Sequence, residues 1–236
     1  MKKRIYFSAL ILFVVGLLAF QQDHSNIVFH SVDPSLGKLK LYWKDSAGKI
    51  FGNLGSVKKS EHQKGKTLKF AMNGGMYLAD QSPQGLFIQD RKQLKSVNRV
   101  KKAYGNFYMQ PNGIFLIDTN NQAKVLQTDA VIDFSGIKFA TQSGPMLVID
   151  GDLHPRFRLG STNLHVRNGV GLLPDGKLLF AQSKTKINFY DFAQFFKKQG
   201  CKNALYLDGF VSRTYLPSKN WEQLDGKFGV IIGEVD

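Results

Sequence analysis

From residue 27 onward the chain is cut into short apolar runs that alternate with turn residues, mostly glycine, asparagine, aspartate, serine and proline. The runs cover residues 39–43, 68–72, 86–89, 107–110, 114–117, 125–127, 146–149, 169–173, 178–182, 204–207 and 229–235. Runs this short between turn residues read as strands, because a helix needs a longer apolar period to bury a face. Asn112-Gly113 is expected to turn a hairpin between two of them, and Pro174-Asp175-Gly176 another. The 23 glycines against 7 prolines fit a chain full of tight turns. One segment, 188–199, instead spaces Phe189, Phe192, Ala193, Phe195 and Phe196 at helical intervals. Asn188 can cap its start, with Asp191 in the capping-box position, and Gly200 can stop it. With 236 residues and 43% apolar content, one α+β domain with few helices accounts for the pattern.

The first residues belong to a different logic. Lys2, Lys3 and Arg4 precede the apolar run 5–20, and Gln21-Gln22-Asp23-His24 follows it. A basic start before a short apolar stretch is the pattern of an export signal, and residues 1–22 are expected to be a signal peptide or an uncleaved N-terminal anchor. Residues 23–236 then form the working domain, in the periplasm or otherwise outside the cytoplasm. Membrane contact is expected only through the N-terminal segment, if it is retained.

Formal charge is +14, and +11 without the three leading cations. Basic residues gather at Lys58, Lys59, Lys64, Lys66 and Lys69, and again at Arg91, Lys92, Lys95, Arg99, Lys101 and Lys102. Such clusters are solvated faces or a means of attracting an anionic substrate; export makes nucleic acid an unlikely partner and favours anionic glycans. The single Cys201 excludes a disulfide framework, a thiolate zinc site and an iron–sulfur cluster, and reads as a buried filler. No Walker loop, HExxH, GxSxG or GxGxxG occurs. Asp150-Gly151-Asp152 reads as a hairpin turn whose charges are also suited to Ca²⁺.

Polar residues and glycines at the ends of strands are the candidates for chemistry. Asn73-Gly74-Gly75 closes one run, Gln142-Ser143-Gly144-Pro145 opens another, and Arg167-Asn168-Gly169 opens a third. Leu207-Asp208-Gly209 closes the run after the helix, with Ser212 and Arg213 beyond it. Each alone is ordinary turn chemistry or a place where a ligand meets the backbone.

Together, in this order and spacing, the four resemble the phosphodiester glycosidase family over about residues 73–212. The stretch RNGVGLLPDGKLLFAQS, the helix INFYDFAQFF and the segment NALYLDGFVSRTYLP carry most of the likeness. It is similar in particular to an exported bacterial branch associated with exopolysaccharide biosynthesis. The resemblance implies an α+β fold around a mixed, strongly curved sheet and, for one branch, hydrolysis of a sugar-1-phosphodiester. It implies Asp208 as nucleophile, base or metal ligand and Arg167 on the phosphate, whose two oxygens suit a planar guanidinium. Asn73, Gly74, Gly75, Ser143, Gly144 and Ser212 would orient a phosphorylated sugar or anionic glycan, with Ca²⁺ or Mg²⁺ an open question. One departure stands out: the hydrolase branch carries Leu-Asp-Gly-Gly-Gly-Ser, where this chain has Phe210 and Val211 before Ser212. That added bulk keeps a second role open, a non-catalytic glycan-binding or assembly factor.

Overall fold

The computed structural model describes residues 26–208 and 211–236; the expected leader and Phe210 lie outside the described residues. Among the described residues, sixteen strands form three sheets. The first sheet runs β1 (Ile27–Val32), β12 (Leu178–Ser183), β11 (Asn168–Leu172), β13 (Asn203–Tyr206), β9 (Met146–Ile149), β10 (Asp152–Leu153). The second runs β15 (Trp221–Glu222), β14 (Thr214–Leu216), β3 (Leu68–Asn73), β16 (Ile231–Val235), β2 (Leu39–Tyr42). In the third the order is β5 (Lys92–Lys95), β4 (Phe87–Gln89), β8 (Ile137–Ser143), β6 (Gly113–Asp118), β7 (Ala123–Gln127).

The inner faces of all three sheets meet in one core, where Phe70 and Met72 of β3, Phe115 and Ile117 of β6, and Phe180 of β12 come together. Alternate residues of the same strands are buried on the outer faces: Leu179 and Ala181 of β12, Ile114 and Leu116 of β6, Ala71 of β3. Strands buried on both sides lose the apolar/polar alternation, which is why the sequence shows continuous apolar runs. A core shared by three sheets makes this one α+β domain.

The mixed sheet expected from the resemblance is not seen: every strand pair among the described residues is antiparallel. The reason lies in the crossover. The helix after β12 returns the chain to β13, which runs parallel to β12, but β11 lies between the two and pairs antiparallel with both. The Asn112-Gly113 hairpin is also replaced: Asn112 is buried, its amide donates to the Phe107 carbonyl at 3.0 Å, and Gly113 already belongs to β6.

Two α-helices among the described residues cover outer faces. The helix expected near 188–199 is α2 (Phe189–Lys198), with Asn188 Oδ1 accepting from the Asp191 amide at 2.9 Å. Its phenylalanines pack on the first sheet, each burial worth roughly 1.5–3 kcal/mol. The other, α1 (Leu54–Gln63), carries Lys58 and Lys59, so that basic cluster is partly helical rather than loop and strand. Only Leu54 and Val57 supply its apolar stripe, and the third inward position is Glu61, wholly buried. Its carboxylate accepts from Lys64 at 2.8 Å and Lys40 at 3.3 Å. The second basic cluster is divided between β5, a sheet edge that its lysines keep from pairing further, and ion pairs to Asp129.

A candidate active site where three sheets end

Asn73 is the last residue of β3, Ser143 the last of β8 and Asn168 the first of β11, while Asp208 lies two residues past β13. The topology brings these ends to one point, and a closed hydrogen-bond set ties them. Asn73 Nδ2 donates to Asp208 Oδ2 at 3.1 Å. Asn168 Nδ2 donates to the Asn73 carbonyl at 2.7 Å and to Asn73 Oδ1 at 3.1 Å, and Asn168 Oδ1 accepts from the Asp208 amide at 2.8 Å. The Arg213 amide donates to Asn73 Oδ1 at 2.8 Å. Ser143 Oγ donates to the Leu207 carbonyl at 2.5 Å and Ser212 Oγ to the Asp208 carbonyl at 2.7 Å. Asp208 is therefore fixed from two sheets, its side chain and backbone both held, while Ser143 of the third sheet holds its neighbour Leu207.

The expected glycines have packing roles here. Gly75 has φ +90, and a Cβ there would sit 2.1 Å from Thr141 Oγ1. A Cβ on Gly144 would lie 2.7 Å from that of Asn112. The Gly74 amide is taken by the Val230 carbonyl at 2.9 Å. These glycines let segments from different sheets approach closely enough to assemble the site.

Asp208, 8% exposed, opens onto a pocket of about 320 Å³. Its walls are Met76, Tyr77, Gln84, Asn106, Tyr206 and Val211. Of these only Val211 was singled out from sequence, as added bulk. Tyr206 carried the available signal, since it precedes Asp208 by two residues in an extended segment and so shares its side. The Tyr77 phenol is pushed up to about 12 by burial and by the Asp208 charge, and it donates to the Lys227 carbonyl at 2.8 Å. Burial, with Asp208 adding to it, also raises the Tyr206 phenol, while Arg167 opposes the shift. Both phenols are thus protonated donors at neutral pH.

Arg167 stands behind this wall. It is fully buried, and its guanidinium lies over the Phe189 ring at 3.6 Å. Nε donates to the Ile187 carbonyl at 2.8 Å; Nη2 donates to the Asn163 carbonyl at 2.8 Å and to Asn163 Oδ1 at 2.6 Å. Nη1 reaches the Tyr206 hydroxyl at 3.4 Å. The planar fork expected to grip a phosphate is engaged by protein oxygens, and the residue of this motif that touches Asn73 and Asp208 is its neighbour Asn168. Successive residues entering a strand face opposite sides, which separates the two.

The Asp150–Asp152 hairpin is remote from this point in its bonding: Asp152 pairs with Lys197 at 3.2 Å. Among the described residues no three His, Cys, Asp or Glu side chains form a group able to hold a metal ion. Cys201 is buried and its thiol pushed up to about 12 by that burial.

Comparison with known proteins agrees with this architecture. A family model described as phosphodiester glycosidase matches residues 66–229. The chain is 34% identical over 188 residues to uncharacterized protein YigE of Escherichia coli K12, covering 79% of this chain and 73% of that one. The catalytic domain of zebrafish N-acetylglucosamine-1-phosphodiester alpha-N-acetylglucosaminidase, auto-inhibited by its pro-peptide, shares the fold. Its TM-score is 0.61 at 16% identity, with 89% of this chain and 82% of that one covered. A hypothetical protein from Synechocystis aligns with TM-score 0.52 at 12% identity, over 89% of this chain and 58% of its own. A domain whose strand ends from three sheets enclose one buried aspartate is thus of a known class, and the chain belongs to the phosphodiester glycosidase family.

Proposed function

We propose that the protein is an exported hydrolase that cleaves a sugar-1-phosphodiester, or a related phosphorylated envelope glycan, with Asp208 as its catalytic carboxylate. The observation that supports this most is the fixed placement of Asp208 by Asn73 and Asn168 beside a pocket walled by two protonated phenols. Cleavage at the anomeric carbon passes through an oxocarbenium-like state, which a nearby carboxylate stabilises. The bond between C1 and the bridging oxygen breaks, and its electron pair stays with the phosphate. A water oxygen then bonds to C1 and gives up its proton, to Asp208 or to solvent.

Tyr206 accepts from Arg167 and keeps its own hydrogen for a phosphate oxygen in the pocket. Arg167 then acts as a positioning residue: it orients the phenol and supplies positive charge from behind it. Asn73, Ser143, Ser212 and the three glycines hold the frame.

In H₂¹⁸O, this reading expects the label in the released sugar. Label in the phosphate would mean attack at phosphorus and would contradict it. The second reading, a glycan-binding factor without turnover, is favoured by Val211, which lines the pocket at a position where the hydrolase branch has glycine. On that reading Arg167→Ala lowers glycan binding and no wild-type turnover exists.

A further inference from the structure

A second cleft, of about 330 Å³, opens on the opposite end of β3, between α1 and the Tyr215 and Leu224 side chains. Gly55, Lys58, Lys59 and His62 recur at i, i+3, i+4 and i+7, so one face of α1 forms a wall of the cleft. Lys66 closes the other side, and no carboxylate lines it. Lys58 Nζ is held 4.6 Å from the Tyr215 ring centre.

The charge here is not neutralised within the fold. Glu61, beneath the cleft, is taken by Lys40 and Lys64, and Lys69 pairs with Asp236. Lys58, Lys59 and Lys66 form no ion pair with any described residue. Lys66 and Lys40 are close enough to repel. Three unpaired cations around a concave, partly aromatic floor suit an anionic group on a carbohydrate chain, and concavity suits a chain better than a flat membrane.

We propose that this cleft is an accessory subsite for the phosphate groups of a glycan chain. Leu68 lines the cleft and Asn73 holds Asp208, so β3 separates the two sites by about 17 Å. A polymeric ligand with phosphates at intervals can engage both; a single sugar phosphate cannot. The choice of polymer rests on the proposed function, whereas the anion-binding cleft does not.

The test is equilibrium binding of phosphorylated dextran, with unmodified dextran and duplex DNA alongside. Joint replacement of Lys58, Lys59 and Lys66 by Gln is expected to weaken phosphorylated-dextran binding about tenfold, and added salt to weaken it in the wild type. Replacing Lys92, Lys101 and Lys102 by Gln removes the same charge elsewhere and is expected to cost about twofold or less. Thermal unfolding confirms that both triple variants are folded. Equal losses from the two triples, no salt-sensitive binding by the wild type, or tighter binding to DNA than to phosphorylated dextran would each overturn the subsite. If no protein turns over a small sugar-1-phosphodiester but the cleft triple alone loses binding, the hydrolase reading fails and the subsite stands.

Discussion

Asn168 uses its whole carboxamide in the frame, donating to both oxygens of Asn73 and accepting from the Asp208 amide. Truncation to alanine leaves a buried carbonyl and a buried amide without partners, and is expected to cost about 2–4 kcal/mol in urea unfolding. A loss below ~1 kcal/mol would show that the frame is not held this way. Tyr206→Phe removes one hydroxyl from a packed ring. The expectation is a kcat about 10- to 100-fold lower with the unfolding midpoint little changed. Unaltered kcat would remove the phenol from the mechanism. At this scale the sequence was only half legible. Asp208 and Asn73 stand out because a polar residue closes an apolar run, whereas choosing Asn168 over Arg167 as the partner of Asp208 required knowing which side of β11 faces the other strand ends.

At the scale of elements, α1 shows where a sequence pattern breaks down. Its third inward position is Glu61, so the apolar period is incomplete and the lysines on the outer face dominate the pattern. Burial alone would raise the Glu61 carboxyl, but the Lys64 bond and the Lys40 and Lys64 charges hold it below its ordinary value. Glu61→Gln is expected to destabilise the fold by about 1–3 kcal/mol, since both lysines lose the carboxylate charge and one of them loses its acceptor oxygen at a buried site. The loop after β10 makes the same kind of prediction for pH. His154 is 1% exposed, with Nε2 bonded to the Gln110 carbonyl at 3.0 Å and Nδ1 accepting from the Arg156 amide at 3.2 Å. Burial holds its pKa below 6.5, with Arg156 adding repulsion. The unfolded chain therefore binds more protons, and the stability from neutral His154 is present above about pH 6.5 and lost as pH falls through the folded pKa. Relative to His154→Gln, the wild type should lose midpoint temperature more steeply between about pH 7.5 and 5. Parallel curves would contradict this.

For the whole molecule, the α+β class was legible because runs buried on both faces stay apolar throughout, and because α2, unlike α1, has a complete helical period. The three-sheet arrangement was not, since nothing local indicates that β11 separates β12 from β13. Nor does local pattern reveal that the C-terminal strand β16 is central, paired with both β3 and β2. Deleting residues 231–236 is expected to abolish the native near-ultraviolet circular dichroism; retention of that signal would contradict the central placement. Contacts as distant in sequence bring Asn73 to Asp208, 135 positions apart in the chain. The most direct test of the account is turnover of a panel of sugar-1-phosphodiesters by the purified protein, with and without Ca²⁺ or Mg²⁺, beside Asp208→Asn. The account predicts release of free sugar by the wild type and a loss of about 10³-fold or more in the folded variant. Folded wild-type protein that releases no sugar under any of these conditions, or a variant as active as the wild type, would contradict it.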